Sequence, residues 1–182
     1  MKPTKIIVEG LDRLGKDTII AGIQEEIGPY FEIHFSKPKK LKHIDRPDWA
    51  KVYQELSFKN GMALLGSSEA KIIFNRFHLG ECVYSPLYRN YSGEYVFGLE
   101  RVYGLDRYDD IRLILLTEDF SKSTHFVDDG LSLGNQEARE KEQDVFVAAF
   151  NASIIADRRI ICVTAENGSF RSAEDILKEA LY

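Results

Sequence analysis

Cysteine is scarce in this sequence of 182 residues, which contains only Cys82 and Cys162. Two cysteines so far apart provide neither a disulfide framework nor a thiolate metal site. Proline and glycine are also few, with 5 and 13 residues, which excludes collagen-like and low-complexity chains. We therefore expect a globular protein of a reducing compartment, the cytoplasm, folded as a single domain over residues 1–182.

Long apolar runs are absent as well. The N-terminal residues Met1–Lys5 are followed by a short apolar run before Glu9, so we expect neither a signal peptide nor a membrane partner. The excess of negative charge is small, with a formal net charge of −5. This balance gives no general attraction to nucleic acid, so a role on DNA or RNA would need a local basic patch.

Short apolar runs rich in β-branched residues alternate with longer segments of helical spacing. The runs cover 5–9, 31–35, 70–74, 111–116 and 159–164, and the helical segments cover 18–27, 49–65, 81–103, 137–156 and 173–181. Near-continuous apolar runs are typical of strands that are covered on both faces. The alternation predicts an α/β three-layer sandwich around a five-stranded parallel sheet, with ligands bound beyond the carboxyl ends of the strands.

Gly10, Gly15 and Lys16 follow the first predicted strand with the spacing of a Walker A phosphate loop, G-x-x-x-x-G-K-[ST]. Glycines let backbone N–H groups turn inward around phosphate oxygens, and the following helix directs its positive dipole end toward the same anion. Lys16 would contribute a point charge to the β- and γ-phosphates. The pattern predicts an ATP phosphate site formed by Gly10, Gly15, Lys16, Asp17 and Thr18.

Asp17 occupies the position at which the motif has a hydroxyl ligand of Mg²⁺. A carboxylate there could bind Mg²⁺ directly or through water, with Thr18 as a second candidate ligand. It could equally cap the N-terminus of the helix. The sequence leaves both roles open.

The string Glu9-Gly10-x-Asp12-Arg13-x-Gly15-Lys16-x-Thr18 resembles the phosphate loop of the thymidylate kinase family, E-G-x-D-R-x-G-K-[ST]-T in one subtype. The segment Asn75–Tyr84 is similar to that family's D-R-[YF]-x-x-[SG]-x-x-x-[YF] segment. There is also a likeness to virus-encoded deoxynucleotide kinases, which would place the protein in the host cytoplasm. The resemblance implies a P-loop nucleoside monophosphate kinase-like fold with a lid, ATP as donor, Mg²⁺ as cofactor, nucleotide substrates and a homodimer.

The same resemblance implies roles for individual residues. Arg13 would contact the transferring phosphate, where an arginine stabilises charge that spreads in the transition state, so Lys16 and Arg13 are the catalytic candidates. Asp12 would accept a hydrogen bond from the sugar of the acceptor. Arg76 would hold the α-phosphate of the acceptor through its planar fork, and a surface salt bridge is the alternative for this residue.

Asn75 stands where the family has an aspartate, whereas Asp17 adds a carboxylate on the facing loop. We hypothesise that the carboxylate near the metal has moved from the strand to the loop. The site would then keep its negative charge.

The residues after the second predicted strand bear on the acceptor. A nucleoside kinase needs a carboxylate base to deprotonate a hydroxyl group, whereas a monophosphate is already ionised and needs cations. Lys37 occupies the turn in question, and together with Arg76 it favours a monophosphate acceptor. Glu9 and Glu81 remain candidate bases, so a kinase of a nucleoside or of a hydroxylated base, including a base within DNA, is the alternative.

The second predicted helix and the segment after the third strand supply candidates for base recognition. Phe58 would stack on the base, with core packing as the alternative. Tyr84 and Arg89 would line the acceptor pocket. Arg89 could instead pair with Glu94 or Asp109.

Residues 119–142 are polar, contain glycine and lead into a helix, which predicts a lid that excludes water above ATP. Arg139 would be the cation of the lid, and an i,i+3 pair with Glu142 is the alternative. Together these features predict ATP-dependent phosphate transfer to a deoxynucleoside monophosphate of dTMP type. A nucleotide-binding regulator without transferase activity is the alternative from another class of protein.

Overall fold

A computed structural model describes residues 2–35, 48–67, 69–123 and 136–182. Within these ranges, the strands are β1 (Lys5–Gly10), β2 (Phe31–His34), β3 (Ile72–Asn75), β4 (Ile111–Thr117) and β5 (Asp157–Cys162). The helices are α1 (Lys16–Ile27), α2 (Trp49–Ser67), α3 (Leu79–Tyr88), α4 (Tyr95–Tyr103), α5 (Gln136–Ala152) and α6 (Ala173–Leu181), with a short 3-10 turn at Leu105–Arg107.

The five strands lie parallel in one sheet, in the order β2-β3-β1-β4-β5. β1, β3 and β4 are buried along their whole length, which explains their continuous apolar sequences. Helices cover both faces of the sheet, with α1 beside α6 and α3 beside α5. The structure therefore confirms the predicted three-layer α/β sandwich with its five-stranded parallel sheet.

The helices have one apolar side rather than being apolar throughout. α6 shows this clearly, because Ile176, Ala180 and Leu181 are buried while the acidic side chains of its first turn are exposed. The hydroxyl of Ser172 caps this helix by accepting a hydrogen bond from the backbone N–H of Asp175. In the described part of the chain, no helix is both long enough and apolar enough to span a bilayer.

The position of β1 in the middle of the sheet decides where the loops meet. β1 pairs with β3 in a register that places Val8 opposite Asn75. Both strands run in the same direction, so the segments that follow them leave the same edge of the sheet side by side. The phosphate loop after β1 therefore lies next to the connection that starts with Arg76.

The segment 81–103, predicted as one helical stretch, forms two helices. α3 ends at Tyr88 and α4 begins at Tyr95, with Asn90 between them in a left-handed conformation at a φ of 56°. Gly93 packs so closely against α3 that a side chain would overlap the carbonyl group of Glu81. Because apolar residues with helical spacing occur on both sides of this turn, their pattern could not locate the break.

At the amino ends of the strands, a separate set of ion pairs and hydrogen bonds joins neighbouring elements. Asp110 accepts hydrogen bonds from Lys5 at 2.7 Å and from Thr4 at 2.5 Å. Arg112, near the start of β4, pairs with Asp157 at 2.6 Å and donates to the carbonyl groups that end α6. These contacts stabilise the end of the sheet that lies away from the phosphate loop.

Alanine substitution at two glycines tests the tight contact between α3 and the start of α4. Gly93→Ala should lower the free energy of unfolding by about 1–3 kcal/mol, because the added methyl group overlaps backbone. Gly98 is the matched control, since it lies within α4 with open space around the position of a Cβ. Gly98→Ala should raise the free energy of unfolding by about 0.5–1 kcal/mol. Denaturant titration measures both values, and an equal effect of the two substitutions would contradict the contact.

Candidate active site

The loop between β1 and α1 has an unusual backbone conformation. Gly10, Arg13 and Gly15 have φ values of 135°, 68° and 75°. Glycine adopts such values without steric cost, and at Gly10 a Cβ would also lie 2.5 Å from the carbonyl oxygen of Leu116 on β4. The loop therefore passes close to the sheet and leads into the N-terminus of α1, as anion-binding loops do.

Lys16 is buried at the start of α1, with 5% of its surface exposed. Its ammonium group donates to the carbonyl oxygens of Gly10 at 3.0 Å and Leu11 at 2.5 Å. Burial and, secondly, the positive charge of Arg76 lower the pKa of Lys16 to about 8, although Asp12 acts in the opposite direction. A polyanion bound in the loop would relieve both unfavourable effects.

Arg76 follows β3 directly and lies beside this loop. Its backbone N–H donates to the carbonyl oxygen of Val8 on β1 at 2.9 Å, and its guanidinium pairs with Asp12 at 2.7 Å. Its φ of 64° is left-handed, and in the described ranges the other non-glycine residues with positive φ are Arg13 and Asn90. Such strain tends to occur at ligand sites. Here it falls on the two arginines that the family resemblance assigns to phosphate.

One amide group connects two carboxylates at the edge of this loop. The side chain of Asn75 donates to Asp17 at 2.7 Å and to Glu32 on β2 at 2.9 Å. An aspartate at position 75 could not do this, because three like charges would repel one another. Asp17 lies in the first turn of α1 and accepts the hydrogen bond from Asn75, so its carboxylate stands between the helix N-terminus and the end of β3.

The donor atoms around Asp17 fit Mg²⁺. This ion keeps several water molecules and takes one or two carboxylates in addition to the phosphates of a substrate. Asp17 and Thr18 are both exposed, and the carbonyl oxygen of the Asn75 amide is buried without a hydrogen-bond partner. Within the ranges that the structure describes, no group of three acidic, histidine or cysteine side chains forms a metal site by itself. Bound phosphate would therefore have to complete the coordination.

Glu9 is the last residue but one of β1, and its carboxylate is bound by backbone N–H groups. One oxygen of its carboxylate accepts hydrogen bonds from the N–H groups of Phe77 at 3.0 Å and Leu79 at 2.9 Å. Burial raises the pKa of Glu9, although the charge of His78 and the two N–H donors oppose that change. Glu9 thus joins the strand before the phosphate loop to the connection that carries Arg76.

Glu81 is the partner of Arg89. The two side chains pair at 2.5 Å, so Arg89 pairs with neither of the acidic residues that the sequence left as alternatives. Glu81 also accepts hydrogen bonds from the hydroxyl groups of Tyr91 at 2.6 Å and Tyr95 at 3.0 Å. Its carboxylate is fully buried, which makes this pair part of the packing between α3 and α4. A role of Arg89 in lining the acceptor pocket stays a prediction.

Phe58 lies in the core, which corrects its predicted role in stacking on a base. It is 2% exposed, and the ring of Phe35 covers it at 5.6 Å between centroids with an interplanar angle of 22°. Phe77 contacts the same ring edge-on. The physical reason is the spacing on α2, where Phe58, Met62 and Leu65 share the face that packs on the sheet.

Arg139, predicted as the cation of the lid, forms a buried ion pair with Glu118 instead of a pair with Glu142. Glu118 follows β4 directly, and both side chains of the pair are at least 95% buried, with 5% and 1% exposed. The pair therefore attaches the start of α5 to the carboxyl edge of the sheet. Lys37 and residues 124–135 of the predicted lid lie outside the described residues.

No model of a known protein family matches this sequence, and no curated protein sequence does. Solved structures do match over nearly the whole chain. The YorR protein of Bacillus subtilis, solved in complex with phosphorylated GDP, has a TM-score of 0.59 at 16% identity, with 96% of this chain and 91% of that chain covered. Thymidylate kinase from Candida albicans has a TM-score of 0.53 at 16% identity, with coverage of 97% and 88%. Deoxyadenosine kinase from M. mycoides has a TM-score of 0.52 at 18% identity, with coverage of 96% and 95%.

The chain has the fold that these three solved structures share. At identities of 16–18%, the likeness concerns the fold, and the side chains have to carry any further argument.

Tyr84 and Glu142 lie close enough to Asp12 for its negative charge to act on both side chains. Tyr84 packs edge-on against Phe146 at 5.9 Å between ring centroids. Burial, followed by the negative charges of Asp12 and Glu142, raises the pKa of Tyr84. Burial and then Asp12 raise the pKa of Glu142. Sequence analysis did not single out Glu142 as a neighbour of the phosphate loop, although its position one helical turn before the buried Phe146 on α5 places both on one face.

The pKa of Lys16 predicts proton uptake when ATP binds. At about pH 8.5 part of Lys16 is neutral, and bound phosphate would raise its pKa and draw a proton from solution. Calorimetric titration in buffers of different ionisation enthalpy measures this uptake, which should nearly vanish at about pH 6.5. Lys16→Met should abolish it, whereas Lys178→Met on α6 should leave it unchanged. Uptake that persists in Lys16→Met would show that another group titrates.

Proposed function

We propose that this protein is an ATP-dependent phosphotransferase that transfers the γ-phosphate of ATP to a deoxynucleoside monophosphate such as dTMP. The observation that carries the proposal is the ion pair of Arg76 with Asp12 beside the buried Lys16. These groups come from two adjacent strands and meet at one edge of the sheet. They supply cations for two polyanions and a carboxylate for a sugar hydroxyl.

The phosphate loop would form the donor side of the site. Backbone N–H groups of residues 10–15 and the N-terminus of α1 would hold the phosphates of ATP, with Lys16 as the point charge. Arg13 would contact the transferring phosphate, where charge spreads in the transition state. Mg²⁺, for which Asp17 and Thr18 are the candidate ligands, would neutralise phosphate oxygens. Catalysis of this kind depends mainly on positioning and on electrostatic stabilisation.

The contacts of the buried acids favour a phosphate acceptor over a hydroxyl acceptor. A hydroxyl group needs a carboxylate base, but Glu9 is engaged by two backbone N–H groups and Glu81 by Arg89 and two tyrosine hydroxyls. A phosphate acceptor is already ionised, and Arg76 would bind it. A kinase of a nucleoside or of a hydroxylated base would have to use Glu142 or Asp12 instead.

The structural neighbours do not decide between these acceptors. A thymidylate kinase and a deoxyadenosine kinase, whose names give a nucleotide and a nucleoside acceptor, have TM-scores of 0.53 and 0.52. The choice of a monophosphate therefore rests on the charges around Arg76. The preferred base is a question for an acceptor screen, since Phe58 is buried in the core.

We also propose that Asp17 has taken over the carboxylate role that the family resemblance assigns to position 75. The hydrogen bond from Asn75 to Asp17 at 2.7 Å supports this exchange, because the amide holds the carboxylate beside the phosphate loop. The single domain over residues 1–182, the lid at about 119–142, the homodimer and the cytoplasmic location stay predictions.

An acceptor screen tests the proposed reaction. ATP is combined with each deoxynucleoside monophosphate, with nucleosides and with hydroxylated bases, and release of ADP is measured. Monophosphates should release ADP, and Arg76→Lys should raise their KM about tenfold or more, because an ammonium group cannot form the bidentate contact. Arg107→Lys, in the 3-10 turn before β4, is the control and should leave the KM unchanged.

Three outcomes of this screen would contradict the proposal. ADP release with nucleosides alone, abolished by Glu142→Gln, would show a hydroxyl acceptor. ATP binding without ADP release for any acceptor would show a nucleotide-binding regulator. An unchanged acceptor KM in Arg76→Lys would remove Arg76 from the acceptor site.

The exchange of Asp17 and Asn75 is tested with single and double variants. Asp17→Thr should reduce Mg²⁺-dependent turnover and raise the Mg²⁺ concentration for half-maximal activity, because a charged oxygen ligand is lost. Asp17→Thr combined with Asn75→Asp should recover part of that activity, since it returns a carboxylate to the end of β3. Titration of activity with Mg²⁺ measures both effects. Full activity of Asp17→Thr alone would refute the exchange.

A further inference from the structure

His78 and Glu100 form a buried polar pair that the phosphate-binding motifs do not explain. Both side chains have 0% exposure, and Nε2 of His78 lies 2.6 Å from Oε1 of Glu100. Burial raises the pKa of Glu100, but the hydrogen bonds from His78 and Ser153 lower it overall, which favours the charged carboxylate. Because a carboxylate only accepts hydrogen bonds, Nε2 of His78 carries the hydrogen.

Glu100 connects this pair to the end of α5. Its Oε1 also accepts a hydrogen bond from the hydroxyl of Ser153 at 2.6 Å, and its Oε2 accepts one from the backbone N–H of Ile154 at 2.9 Å. Ser153 and Ile154 follow α5 directly, and Glu100 itself belongs to α4. His78 is therefore attached to two helices at once.

His78 lies in the short connection from β3 to α3 that begins with Arg76. The backbone N–H groups on both sides of His78, those of Phe77 and Leu79, donate to Glu9 at 3.0 and 2.9 Å. The connection is thus held from β1 by Glu9 and from α4 by Glu100. The side chain of Arg76 is 40% exposed and its backbone is left-handed, so its direction depends on how firmly this connection is held.

We infer that the His78–Glu100 pair positions Arg76 toward the phosphate loop and thereby sets the affinity for the acceptor phosphate. This inference rests on the proposed function. Apolar side chains would fill the same space without the cost of burying a charge, so stability alone does not account for the pair. His78 is a positioning residue, because it acts through the direction of Arg76 and does not touch the acceptor.

Two substitutions of His78 test the inference by steady-state kinetics. His78→Phe keeps a ring of similar size but removes the hydrogen-bond donor. The KM for the monophosphate should rise about 10-fold or more, while the KM for ATP stays within about twofold, since only one substrate contacts Arg76. His78→Gln, which can place an amide N–H near the position of Nε2, should restore most of the acceptor affinity.

A matched control separates positioning from loss of stability. Arg112→Met breaks the ion pair between the buried Arg112 and the partly exposed Asp157, at the end of the strands that lies away from the phosphate loop. It should lower the free energy of unfolding to a similar degree as His78→Phe without changing the acceptor KM. An equal rise of the acceptor KM in Arg112→Met would overturn the inference, and so would a folded His78→Phe whose acceptor KM stays within about twofold of the original value.

His78→Phe leaves the buried carboxylate of Glu100 without its histidine partner, so this variant could fail to fold. In that case, Glu100→Gln tests the inference. Glu100→Gln keeps the size but replaces one acceptor oxygen with an NH2 donor, so it cannot accept from His78, Ser153 and Ile154 together, and it should raise the acceptor KM selectively. An unchanged acceptor KM in Glu100→Gln would overturn the inference.

Arg76→Lys distinguishes a failure of the inference from a failure of the proposed function. If Arg76→Lys leaves the acceptor KM unchanged, the proposed function fails, and if it raises the KM while the His78 and Glu100 variants do not, only the inference fails.

Discussion

The candidate active site depends on one buried carboxylate, that of Glu9 at the end of β1. It accepts hydrogen bonds from the backbone N–H groups of Phe77 and Leu79. In this way it joins the strand before the phosphate loop to the connection that carries Arg76. A buried carboxylate is costly unless such donors surround it, and at this place they come from the backbone of the neighbouring loop. Lys16 and Arg76 can therefore stand side by side although two like charges repel.

Charge balance explains the other polar contacts at this edge of the sheet. Arg76 is compensated by Asp12, and Asp17 is tied to the amide of Asn75 rather than to a further carboxylate. Burial and, secondly, the charge of Arg76 still lower the pKa of Lys16 to about 8. An arrangement of this kind is unfavourable in the protein alone and favourable around phosphates, which is the physical basis of the proposed binding of two nucleotides.

The fold was predictable because its signals are local. Apolar runs at β1, β3 and β4 are continuous since these strands are covered on both faces, and the spacing from Gly10 to Lys16 follows from the shape of a phosphate loop. The break before Gly93 was not predictable, because it results from close packing on a distant turn of α3. Phe58 was misassigned for a related reason, since an aromatic residue on an amphipathic helix suits a core and a cleft equally well.

The sequence by itself determined the succession of strands and helices along the chain and the phosphate loop, because each depends on residues that are near one another in the chain. Only the tertiary structure decided the partners of the buried charges. It paired Arg139 with Glu118, His78 with Glu100, and Asn75 with Asp17 and Glu32. Charged residues are abundant in any sequence, and which two of them meet is set by how separate elements pack on the sheet.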